Sequence, residues 1–81
     1  MTNGRQFPSL RGRQLIRLLS REPLAYRVVR QTGSHRRLES DNGYAPLIFA
    51  FDNRVTISPG MVKKILTKDV GLSIEDALDL L

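Results

Sequence analysis

The 81 residues suffice for one domain and leave no room for a cofactor domain beside a substrate domain. With no cysteine and a single histidine, disulfides, thiolate metal sites and histidine-cluster metal centres are excluded, and no cofactor is expected. The balance of 13 Lys+Arg against 8 Asp+Glu gives a net charge of +5 and a pI near 10.5, which directs attention to a polyanion or an acidic protein as partner.

That charge is segregated along the chain. From Met1 to Arg37 there are nine arginines opposed only by Glu22, a net of +8. From Asp69 to Leu81 the acids Asp69, Glu75, Asp76 and Asp79 stand without a base, a net of −4. Arginine rather than lysine dominates the basic part, and its planar fork matches a phosphate with two parallel hydrogen bonds. No apolar run approaches the roughly 20 residues needed to cross a bilayer. The first residues also lack the apolar stretch of a secretory signal. A cytoplasmic protein with no membrane partner is expected.

The first element is a helix over about Leu10 to Arg21, with Ser9 as its cap. Leu15, Ile16, Leu18 and Leu19 share one side; Arg13, Arg17 and Arg21 lie opposite. Gly12 costs such a helix about 1 kcal/mol against alanine, so close packing at that point is expected. Pro23 ends the helix.

Three strands are predicted next. Tyr26 to Gln31 is rich in β-branched residues and alternates. Thr32-Gly33 makes a tight turn, and Ser34 to Glu39 pairs back as a hairpin. Asp41-Asn42-Gly43 is a second turn, followed by Leu47 to Phe51, with Pro46 suited to the start of a strand or an edge. Val55 and Ile57 leave a short extra strand open. Ser58-Pro59 starts a helix reaching about Lys68, in which Met61, Val62, Ile65 and Leu66 form the buried stripe. Gly71 stops it. Ser73 caps a last helix, with Ile74, Ala77, Leu78 and Leu81 facing inward.

The order α-β-β-β-α-α predicts a single α+β domain over residues 1–81, like a double-stranded-RNA-binding domain. Its helices cover one face of a three-stranded antiparallel sheet and leave the other face free for a ligand. Strand alternation puts His35 on the same face as Arg37 and Glu39, with Leu38 pointing to the core. His35 is then exposed, not a packing residue.

Four blocks of the chain resemble one family. Val28-Val29-Arg30-Gln31-Thr32-Gly33-Ser34-His35 looks like the V-R-Q-x-G-S-H signature of HicA (YcfA-like) toxins. Leu15-Ile16-Arg17-Leu18-Leu19 resembles that family's first helix. Pro59 to Leu66 is similar to its P-G-x-L-x-x-I-L segment, and Gly71 to Asp76 followed by Leu78 and Leu81 to its tail. The blocks occur in the family's order. Arg36 stands where many relatives carry a second histidine, and Ala77 where a phenylalanine is usual.

The resemblance implies a toxin of a toxin–antitoxin pair that cuts messenger RNA without a metal. It makes His35 the catalytic residue, and a HicB-type antitoxin the partner that covers it; DNA would be met only through that antitoxin. RNA cleavage needs removal of the 2′-hydroxyl proton, charge relief at phosphorus and protonation of the leaving oxygen. A histidine titrates near neutrality and can serve as base or acid, but not both at once. Tyr26, an arginine-held water or solvent is left for the other transfer. Arg30, Arg36 and Arg37 are candidates to hold the phosphate. Gly33 lets the backbone approach it, Ser34 offers a hydroxyl or shapes the turn, and Lys63 and Lys64 sit near a helix start. The rival expectation is a non-catalytic module that recognises double-stranded RNA by shape and phosphate contacts alone.

Overall fold

The computed structural model describes residues 5–81. Met1 to Gly4 lie outside the described residues, and with them the start of the domain expected over 1–81. The elements are β1 (Leu10–Arg11), α1 (Gly12–Ser20), β2 (Tyr26–Thr32), β3 (His35–Ser40), β4 (Leu47–Phe49), β5 (Thr56–Ile57), α2 (Pro59–Lys64) with a π-helical continuation (Ile65–Asp69), and α3 (Ile74–Leu80). Strands β2, β3 and β4 form an antiparallel sheet in that order. The α+β class and the expected sheet are borne out. So is the placement of the helices on one face. Leu15, Leu18 and Leu19 of α1, Val62 of α2, and Ile65 and Leu66 of its continuation join one buried core with Tyr26, Leu38, Leu47 and Phe49 of the sheet. Burial of this set is the main favourable term in folding.

The first helix differs from expectation at its start. Leu10 and Arg11 are extended and pair antiparallel with Ile57 and Thr56, so Ser9 is not the cap. Arg11 takes that position, and its backbone N–H donates to Gln14 Oε1 at 2.8 Å. The next N–H groups, which no helix can satisfy internally, donate to the loop before β5: Gly12 to the Val55 carbonyl at 2.8 Å and Arg13 to the Asn53 carbonyl at 3.1 Å. The close packing expected at Gly12 is therefore packing against backbone. A Cβ there would fall on the Asp52 carbonyl oxygen and lie 2.9 Å from its carbon.

The helix predicted to reach Lys68 does so in two geometries. Ser58 Oγ accepts from the Met61 N–H at 3.3 Å and caps α2. At the far end the Val70 N–H reaches back five residues to the Ile65 carbonyl at 2.9 Å. Gly71, at φ +96°, then turns the chain so that the Leu72 N–H meets the Leu66 carbonyl at 3.0 Å. The wider turn carries the buried stripe on through Val62, Ile65, Leu66 and Val70. Met61 falls at its rim and is exposed, contrary to expectation. Helix α3, capped by Ser73 Oγ accepting from the Asp76 N–H at 3.0 Å, meets the core through the buried Ala77 and the half-buried Leu80. Ile74 and Leu81, expected inward, are exposed.

Among the described residues no helix is long and apolar enough to cross a membrane.

Candidate functional site

The sheet face away from the helices is organised by the β2–β3 hairpin. Thr32 and His35 are paired, so Gly33 and Ser34 form a two-residue turn. Gly33 takes φ +61° and Ser34 is not left-handed, the pattern of a type II′ turn, whose twist matches that of the flanking strands. The turn thus lies one residue later than Thr32-Gly33, and β3 begins at His35 rather than Ser34. Thr32 becomes a strand residue directly opposite the histidine.

A second feature decides which arginines join it. Val28 pairs with Leu38 and Arg30 with Arg37, so Val29 is an extra, bulged residue. A one-residue insertion inverts the facing of everything beyond it. Tyr26 and Val28 share the core side of the sheet with Leu38. Regular alternation would send Arg30 the same way. The bulge turns Arg30 and Thr32 to the outer face with His35 and Arg37.

The outcome is a concavity of about 270 Å³ lined by Arg30, Thr32, His35, Arg37 and Ile48. His35 and Arg37 alternate along β3, about 7 Å apart. Arg30, Arg37 and Ile48 form a row across the three strands. Facing guanidiniums across a strand pair destabilise a sheet. Arg37 Nε is 3.5 Å from Glu39 Oε2, but both side chains are nearly half exposed, 47% and 43%, and such a pair contributes about 0–1 kcal/mol. Two opposed cations beside a histidine make a site that an anion would relieve.

The other predicted residues fall elsewhere. Arg36 points to the inner side: its guanidinium lies over Phe49, 5.8 Å from the ring centre, and Nη2 donates to Asn53 Oδ1 at 2.7 Å. Its Nε is buried without a hydrogen-bond partner. It braces the sheet against the loop before β5 and is not brought together with His35. Gly33 and Ser34 sit exposed at the hairpin tip beside the site. Lys63 and Lys64 belong to the helical layer behind the sheet, and Lys64 Nζ lies 3.4 Å from Asp69 Oδ2.

Tyr26 is buried at the far end of the hairpin. It is paired with Ser40, five residues along β3 from His35, about 17 Å away. Its hydroxyl donates to the Ala45 carbonyl at 2.6 Å, so it cannot serve His35. Burial chiefly, then the charges of Tyr44 and Asp69, raise its pKa above the ordinary value near 10. A raised folded-state pKa means that this stabilisation is complete below about pH 10 and is lost as pH climbs through the folded value. Tyr26→Phe is expected to cost about 1 kcal/mol at neutral pH through the lost hydrogen bond, and to shrink the alkaline fall in stability. Urea denaturation at neutral pH and at a series of pH values above about 10 measures both; an unchanged alkaline limb would contradict the assignment.

Sequence reasoning missed Thr32 and Ile48 as site residues. Thr32 was hidden by placing the turn one residue early. Ile48 carried a signal, an apolar residue between the inward-facing Leu47 and Phe49 and therefore outward-facing itself.

A protein-family model described as the HicA toxin of bacterial toxin–antitoxin systems matches residues 12–72, from the start of α1 to the residue after the Gly71 turn. No curated protein and no solved structure matches the chain. The match spans the helix, the hairpin that carries the site and the second helix, and on it the chain belongs to the HicA toxin family.

Proposed function

We propose that this toxin is an endoribonuclease that cuts messenger RNA without a metal, with His35 moving the proton. The observation that supports it best is the opposed pair Arg30 and Arg37 in one concavity with the exposed His35. A phosphodiester held between the guanidiniums places its neighbouring 2′-hydroxyl within reach of the imidazole. Neutral His35 takes the 2′ proton, the 2′ oxygen attacks phosphorus, and the bond from phosphorus to the 5′ oxygen breaks. The products are a 2′,3′-cyclic phosphate and a 5′-hydroxyl. The arginines stabilise charge as it builds on the phosphorane oxygens. With Tyr26 on the wrong face, water supplies the proton to the leaving oxygen. The cavity lining of two cations and one imidazole is a poor donor set for a metal ion.

The Gly33-Ser34 turn lets RNA backbone pass close to the site. Arg36, Lys63 and Lys64 act through the general positive field that attracts RNA rather than by touching the scissile group. A HicB-type antitoxin silences the toxin in the cytoplasm by covering His35, with acids set against Arg30 and Arg37, and DNA is reached only through it. Residues 1–81 act as one unit.

The purified chain, incubated with messenger RNA in excess EDTA, is expected to produce fragments ending in cyclic phosphate. RNA that is bound but left intact would overturn the enzymatic reading in favour of a binding module.

A further inference from the structure

Ile48 does not fit a site made only for phosphate. It is 56% exposed at the centre of β4, the most open large apolar side chain among the described residues. Its neighbours Leu47 and Phe49 are buried on the opposite face. It ends the row that begins with Arg30 and Arg37 and helps to line the His35 concavity. An aliphatic group leaves a phosphate no better held, and its exposure costs free energy that a charged residue at this position would not. Among the residues lining the cavity it is the one wholly apolar side chain. At about 270 Å³ the space is at the lower end of small-molecule sites, which run from roughly 300 Å³ upward, so it suits one nucleotide unit rather than a duplex.

We infer that Ile48 is a positioning residue that packs against the nucleobase attached to the phosphate held by Arg30 and Arg37, so that the cavity takes single-stranded RNA with an unstacked base. Thr32, opposite His35, is the polar wall of the same subsite. Sequence-tolerant contact with a base face is the usual way in which proteins hold single strands. A base pinned over Ile48 fixes the rotation of its ribose, and so the direction of the 2′-hydroxyl toward His35. This deepens the ribonuclease reading and rests on it for the identity of the ligand.

The test separates the two. In a His35→Ala background, which removes cleavage, Ile48→Ser is compared with the parent for binding of a short single-stranded RNA and of the same backbone made abasic. Ile48 projects outward, so circular dichroism should be unchanged. Expected is about a tenfold loss of affinity for the base-bearing strand and none for the abasic one. Equal losses on both strands, no loss on either, or an effect confined to antitoxin affinity would overturn the inference. Discrimination of the two strands by a protein that cleaves no RNA would leave the base contact standing and remove the catalytic reading. In the active protein the same substitution should raise KM through the lost base contact and also lower kcat, because the 2′-hydroxyl is no longer aimed at His35. A loss confined to kcat would count against a base contact.

Discussion

His35→Ala is expected to lower the rate of RNA cleavage by about 10²- to 10⁴-fold, the range that general acid–base groups supply. The side chain is exposed at the first position of β3, and among the described residues it makes no side-chain hydrogen bond or ion pair. Its removal should therefore leave the unfolding free energy from urea denaturation within about 0.5 kcal/mol of the parent. RNA affinity should persist, because Arg30 and Arg37 remain to meet the phosphate. Loss of growth inhibition in cells should follow loss of cleavage, with the variant still captured by the antitoxin. The decisive measurement is single-turnover cleavage of a short single-stranded RNA alongside its binding. Cleavage that survives in His35→Ala would displace the chemistry from this cavity, and a parallel collapse of binding would turn His35 into a contact rather than a proton carrier.

How far the sequence could lead to this site differs from residue to residue. The apolar periodicity of Leu15, Leu18 and Leu19, and of Val62, Ile65 and Leu66, is local information, and the helices follow from it. The exposure of His35 follows from its distance of three from the buried Leu38 on an alternating strand. The same alternation places Arg36 inward, although its charge alone groups it with Arg30 and Arg37 as a candidate to hold phosphate. An arginine on the inner side is tolerable because its stem packs while the guanidinium meets Phe49 and Asn53. What no pattern announced was the bulge at Val29. Its presence depends on pairing between two strands, and without it Arg30 would face the core. The pairing of Leu10 with Ile57 is likewise non-local: two residues of each partner carry no period of their own, so the sequence alone predicts the first helix two residues before its start at Gly12.

Gly12→Ala is expected to destabilise the protein by about 2–4 kcal/mol, even though alanine is the better helix former by about 1 kcal/mol. Gly12 is buried at the first turn of α1, where the Asp52 carbonyl occupies the place of the missing side chain and Asn53 Cα lies 3.2 Å from the position of a Cβ. Backbone cannot yield as a flexible side chain does. The loop must move, and with it go the hydrogen bonds from the Gly12 and Arg13 N–H groups to Val55 and Asn53 and the alignment of β1 with β5. Each bond contributes about 1 kcal/mol, on a domain whose whole stability is about 5–15 kcal/mol. The control is Gly60→Ala in α2, where nothing lies within 4 Å of an added Cβ. The same chemical change should there be neutral or stabilising by up to about 1 kcal/mol. Opposite signs in urea denaturation distinguish a steric cause from a propensity cause; equal stabilities would show that the loop does not press on the helix. The loop also carries Asn53, which holds Arg36 behind the strand of His35. At a temperature where Gly12→Ala remains folded, its cleavage rate should therefore fall below that of Gly60→Ala, by about two- to tenfold for a displacement of the site below 1 Å.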